Sequence, residues 1–134
     1  MPSGEIRVAI NSDQDIVAAR QRGRALAGEL GFSAVDCTFI ATAISELARN
    51  IVSYAGRGEI VLEGIQNSAS AGIRIVASDE GPGIYDIRQA LRDGFSTSGS
   101  LGLGLPGIRR LMDEFSIISQ PGRGTRVEVK KWRP

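Results

Sequence analysis

Three stretches of this chain hold residues whose types and spacing could do chemistry. In E-L-A-R-N, Glu46 and Asn50 stand four apart on a run with helical periodicity and so share one face. At about 100° per residue they fall at one border of an apolar stripe centred between Ala43 and Leu47, while Arg49 points to solvent. A carboxylate there can take a proton from a hydroxyl or a water. An Asn side-chain oxygen is a neutral, hard ligand for magnesium. A solvated helix flank is the plain alternative. The second stretch is S-D-E-G-P-G-I, Ser78 to Ile84, which follows an alternating run of Ile73, Ile75 and Ala77 against Arg74, Val76 and Ser78. A strand therefore ends in the carboxylate Asp79, and Gly81 and Gly83 form a wall without side chains beside it. Pro82 has no N–H to offer and stiffens that wall. The arrangement suits a flat ligand with a hydrogen-bond donor at its edge, an adenine amine for example; an ordinary turn uses the same residues.

The third stretch is rich in glycine and hydroxyls: Gly94 to Gly104, G-F-S-T-S-G-S-L-G-L-G, running into Pro106. Gly102, Leu103, Gly104, Leu105, Pro106 and Gly107 spell G-x-G-x-x-G. A dinucleotide fingerprint needs a strand before it and a βαβ unit around it, and here a Ser/Gly loop precedes it. No H-R-D or D-F-G follows, and no G-x-x-x-x-G-K-[ST] occurs. The physical content that survives is a mobile loop leading to a helix N-terminus, whose N–H groups and dipole favour an anion such as phosphate.

The totals narrow the chemistry. The chain has 134 residues, enough for one domain with a sizeable core. It contains no histidine and one cysteine, Cys37. Ser-His-Asp and Cys-His catalysis, a structural zinc site, a phosphohistidine on this chain and an intrachain disulfide are all excluded. A net charge of +1 gives no reason to expect nucleic acid or an anionic membrane as partner. No apolar run reaches membrane-spanning length and no signal peptide opens the chain, so a cytoplasmic protein is expected.

The elements that position these residues can be read in order. Glu5 to Ile10 alternates as a strand. Ser12 with Asp15 caps a helix to about Leu30, with Ile16, Ala19, Gly23, Leu26, Ala27 and Leu30 inward and Gly31 as its stop. Arg20, Arg22 and Arg24 form its solvated face, with partner binding as the alternative. Ser33 with Asp36 caps a longer helix to about Tyr54, with Val35, Phe39, Ile40, Ala43, Ile44, Leu47 and Ile51 as its buried stripe. Glu59 to Ile65 and Ile73 to Ser78 read as a hairpin around Asn67 to Gly72. Asp86 to Arg92 could form a short helix. Pro106 opens a helix carrying Ile108, Leu111, Met112 and Phe115 inward. Ser116 to Ser119 and Thr125 to Lys131 read as strands around the turn Pro121 to Gly124. Blocks of helices and hairpins predict an α+β two-layer sandwich, a mixed, mostly antiparallel sheet with helices on one face.

Taken in this order, Glu46 and Asn50 on a helix, Asp79-x-Gly81-x-Gly83 after a strand, Gly102-x-Gly104-Leu105 before a helix, and Gly124-Thr125 entering the last strand, the chain resembles the GHKL nucleotide-binding fold over nearly its whole length. The resemblance implies ATP and Mg²⁺ as cofactors. It implies Asn50 as metal ligand, Glu46 as catalytic base, Asp79 on the adenine amine, and Gly81 and Gly83 making room for the base. Gly102, Leu103, Gly104 and Leu105 would lie over the phosphates, and Thr125 would support the adenine site. The strings D-I-V-A-A-R (15–20), T-A-I-S-E-L-A-R-N-I (42–51), D-G-F-S-T-S-G (93–99) and G-L-P-G-I-R-R-L-M-D-E-F (104–115) are more closely similar to the small GHKL serine/threonine kinases of bacterial stressosome partner switching. That likeness implies STAS-domain substrates and, on release, activation of a PP2C-type phosphatase. It also leaves room for a homodimer. Tyr54 departs from the wider family, many members of which carry a polar or charged residue there. Two further readings use the same pocket: an ATP-binding anti-sigma factor or other non-catalytic switching module, and a detached histidine-kinase catalytic domain.

Overall fold

The computed structural model describes residues 4–83 and 104–134. The element order is β1 (Ile6–Ile10), α1 (Asp13–Glu29), α2 (Ala34–Tyr54), β2 (Gly58–Gln66), β3 (Ala71–Asp79), α3 (Leu105–Leu111), β4 (Glu114–Gln120) and β5 (Gly124–Trp132). The expected short helix at 86–92 and most of the glycine-rich run lie outside the described residues.

The two long helices begin where side chains can satisfy free backbone donors. The Asp15 carboxylate accepts the Asn11 and Ser12 N–H groups at 2.7 and 3.2 Å. The Ser33 hydroxyl accepts the Asp36 N–H at 3.1 Å. Both follow from the limited capping repertoire of a first helical turn.

The strands form one antiparallel sheet in the order β1-β2-β3-β5-β4. Alternation sends Ile60, Leu62, Ile73, Ile75, Val127 and Val129 to the inner face, all buried. The helices cover that face, which gives the α+β two-layer arrangement read from the sequence. The outer face carries ion pairs: Arg7 bridges Glu5 and Glu59, and Arg74 bridges Glu63 and Glu128. Among the described residues no helix is long and apolar enough to cross a membrane.

Two expectations are corrected by packing. Val35 and Phe39 were expected in the stripe of α2, yet they are 61% and 39% exposed. α2 packs against α1 on one side, the sheet on another and α3 on a third. Its buried face is therefore wider than the apolar stripe and takes in Cys37, Ala41, Ser45, Glu46 and Ala48, while its N-terminal turns project past the cover. Phe115 was expected on the last helix, but α3 ends at Leu111 and Phe115 is half-buried on β4. Met112 is extended and the Asp113 N–H pairs with the Lys130 carbonyl at 2.9 Å, so sheet pairing takes over from helix there.

Ile44 is completely buried on α2 and packs on Gly23 of α1, which also has Leu62 of β2 close by. Ile44→Ala leaves a cavity where three elements meet and is expected to cost about 2–5 kcal/mol, read from the midpoint of urea unfolding.

Candidate active site

The sheet brings one row of residues together at its end. Asp79 on β3 pairs with Gly58 on β2 and with Thr125 on β5, and Thr125 pairs in turn with Ser119 on β4. The Asp79 carboxylate accepts the Gly81 N–H at 2.9 Å, the local bond that turns the chain out of the strand. The Ser119 and Thr125 hydroxyls lie 2.8 Å apart. An open depression of about 300 Å³ borders this row and includes Ser78, Asp79, Ser119 and Thr125. Ser119 was not singled out by the sequence, because only the β4–β5 register places it beside Thr125.

The glycines are held closely at this end. Gly83 has φ +77° and Gly124 has φ +86°. A Cβ on Gly83 would strike the Gln120 carbonyl, and one on Gly124 would strike the Asp79 carbonyl. The Gly122 N–H also donates to the Pro82 carbonyl at 2.7 Å. Pro82 thus contributes through its carbonyl, docking the glycine segment on the β4–β5 turn. Gly81 packs on Ala55, just past the end of α2, where a Cβ would come within 2.5 Å of the Ala55 methyl. Close backbone packing thus excludes a side chain at both Gly81 and Gly83.

The end of α2 reaches the same place. Ile51 lies beside Gly58 and Ala55 on Gly81, so the helix that carries Glu46 and Asn50 abuts the strand end that carries Asp79. Asn50 is half-buried and Arg49 exposed, as the helical wheel predicts. Glu46 lies further inward than the expected border and is 9% exposed. Its Oε1 is 3.9 Å from the Arg49 Nε, and its Oε2 is buried with no hydrogen-bond partner among the described residues. Burial raises the Glu46 pKa above the ordinary carboxylate value of 4.5, and the Arg49 guanidinium partly offsets this. A buried carboxylate oxygen without a partner is costly in a fold that has no use for it, and it is ready to accept a proton.

Gly104 precedes α3 as its N-cap, with no side-chain cap, and Pro106 occupies the first turn. The Leu105 side chain is buried in the core at 7% exposure, so its backbone is the part that could face a ligand. Gly102 and Leu103 lie outside the described residues. Tyr54 is 47% exposed on the last turn of α2.

Residues 10–131 match the family model described as histidine kinase-like ATPase domain. The chain belongs to this family. It is 58% identical over 125 residues to the serine/threonine-protein kinase RsbT of Bacillus subtilis, covering 93% of this chain and 94% of that protein. It is 31% identical over 127 residues to an anti-sigma F factor of a Thermoanaerobacter species, covering 92% and 89% respectively. Among solved structures, the RsbU and RsbW domains of a Mycobacterium tuberculosis protein match with a TM-score of 0.66 at 19% identity, over 99% of this chain and 34% of that one. The mycobacterial sensor histidine kinase MprB matches with a TM-score of 0.56 at 17% identity, over 98% and 99%. The structural likenesses establish the shared fold.

The sign of the Glu46 shift gives a prediction. A carboxyl with a raised folded-state pKa holds its proton more tightly folded than unfolded, so its contribution to stability falls as pH rises from 4.5 through the raised value. Glu46→Gln is therefore expected to raise the melting temperature at neutral pH and to flatten the loss of stability across that acidic window, as measured by thermal unfolding at a series of pH values.

Proposed function

We propose that this chain is an ATP-dependent protein serine/threonine kinase of a bacterial partner-switching module. The observation that carries the reading is the buried Oε2 of Glu46, without a partner among the described residues and one turn before Asn50, in a chain 58% identical to a named serine/threonine-protein kinase. Adenine binds at the sheet end, with its amine donating to Asp79 and with the Ser119–Thr125 hydroxyl pair beside it. Gly104 and the Leu105 backbone lie on the phosphate side.

The donor set fits a magnesium ion. Among the described residues no three or more His, Cys, Asp or Glu side chains gather as a metal site. Magnesium carried by nucleotide phosphates needs only one or two protein oxygens, which Asn50 supplies. When bound there, the ion neutralises charge on the transferred group. The remaining work falls to Glu46. The acceptor Ser or Thr oxygen bonds to the γ-phosphorus as the bond to the bridging oxygen breaks and ADP departs. The hydroxyl proton passes to Glu46 Oε2, whose raised pKa makes it the better acceptor. Arg49, 3.9 Å from the other oxygen, favours the charged carboxylate and partly offsets its burial.

The substrates of this reading are STAS-domain proteins, and the freed kinase binds and activates a PP2C-type phosphatase in the cytoplasm. The match to the anti-sigma F factor supports a second reading, in which Mg-ATP is a structural ligand and a sigma factor is the partner.

Asp79→Asn is expected to lower Mg-ATP affinity at least tenfold, since a carboxylate acceptor of an amine is replaced in part by a donor; isothermal titration calorimetry checks this. Glu46→Ala should bind Mg-ATP as the parent does and lose phosphotransfer by about 10²–10⁴-fold, the range of general-base contributions. Retained transfer would remove Glu46 from the mechanism. Mass spectrometry of candidate STAS proteins after incubation with this chain and Mg-ATP should show a single phosphorylated Ser or Thr. No phosphorylation, together with capture of a sigma factor, would favour the second reading.

A further inference from the structure

The helix that begins at Gly104 is held from its far end. α3 has seven residues, about 10 Å at 1.5 Å per residue, and is too short to be stable by itself. It lies on α2 with Ile108 fully buried. Its last carbonyl, that of Leu111, accepts the Lys131 Nζ at 3.0 Å. The same ammonium stands 5.7 Å from the centroid of the Phe39 ring on α2, within cation–π range. Lys131 thus joins β5, α2 and the C-terminal end of α3 through one charged group, which also suits the negative end of a helix.

Neighbouring residues of β5 hold the next segment and not the helix. The Trp132 N–H donates to the Asp113 carboxylate at 2.7 Å, and the Trp132 indole donates to the Glu114 carboxylate at 2.6 Å. These bonds fix the start of β4. Lys131, by contrast, reaches α3 itself.

We infer that Lys131 is a positioning residue of the nucleotide site. By holding the Leu111 carbonyl beside the Phe39 ring it sets where α3 lies on α2. It thereby sets where Gly104 and the Leu105 backbone stand, two turns away. Phe39, 39% exposed on a turn of α2 that projects past its cover, thus offers a ring face that the Lys131 ammonium can reach. The inference rests on the reading of Gly104 and Leu105 as part of the nucleotide site.

The test is calorimetric titration of the full chain with Mg-ATP, for the parent protein, Lys131→Met, Lys131→Arg and Trp132→Phe, with melting temperatures recorded in parallel. Lys131→Met keeps most of the apolar stem and loses the donor and the charge. It should bind Mg-ATP about fivefold more weakly, the size of one net hydrogen bond. Lys131→Arg retains a cationic donor and should restore most of the affinity. Trp132→Phe removes a bond of the same strand and should bind as the parent does. A lower melting temperature in Lys131→Met with unchanged affinity well below that temperature would mean a merely structural role and overturn the inference. Equal weakening in Trp132→Phe would also overturn it. Should Lys131→Met not fold, Phe39→Leu removes the ring beneath the ammonium; weaker binding supports the inference and parental binding overturns it. A parent protein that binds no Mg-ATP would overturn the nucleotide reading together with this one, whereas parental binding with unchanged affinity in Lys131→Met overturns this one alone.

Discussion

The burial of α2 is the constraint on which the rest of the structure depends. The inner face of the sheet is almost wholly apolar, and α2 must cover it while also receiving α1 and α3. One narrow apolar stripe cannot meet three neighbours. Small residues, Ala41, Ala43 and Ala48, widen the buried face by letting them approach closely, and Glu46 is drawn in with them. A carboxylate is thus desolvated by packing that the core requires in any case, and one of its oxygens has no partner among the described residues. The same helix ends against Gly58 and Gly81, so its position also determines how far Asp79 stands from Asn50. Core and site are two faces of one packing solution.

The sheet end imposes a second demand, for backbone and not side chains. β3, β5 and the glycine segment after Asp79 approach so closely that carbonyl oxygens occupy the space a Cβ would need at Gly83 and Gly124. The result is a closely packed rim on which Asp79, Thr125 and Ser119 stand in register. A row of one carboxylate and two hydroxyls in register suits recognition of a flat, hydrogen-bonding ligand. The outer face of the sheet is different: it carries ion pairs around Arg74 and Glu128, and Arg74 holds the Glu128 carboxyl below its usual range.

Most of the architecture was legible because each element carries a local cause. Ser12 with Asp15 and Ser33 with Asp36 mark helix starts, period-two alternation marks Ile73 to Ala77, and Gly122 with Gly124 marks the last turn. Errors fell where a neighbour overrode the local pattern. Phe115 kept helical spacing with Ile108 and Met112, but pairing of Asp113 with Lys130 ended the helix first. Val35 and Phe39 had the right spacing for the stripe of α2 but sat beyond the elements that cover it.

By itself, the sequence determined which chemistry was available and in what order along the chain. Without histidine and with one cysteine, only carboxylates, amides, hydroxyls and cationic side chains remained, and the spacing of Glu46 and Asn50 put two of them on one helical face. Residue type and short-range spacing are local properties, so they survive without a structure. Only the tertiary structure decided that Glu46 is desolvated with one oxygen unpaired, that Ser119 joins Thr125 beside Asp79, that Gly81 and Gly83 pack against Ala55 and Gln120, and that Lys131 closes the end of α3. Each of these depends on which surfaces far apart in the chain are pressed together, and burial is a property of the assembled packing and not of any segment alone.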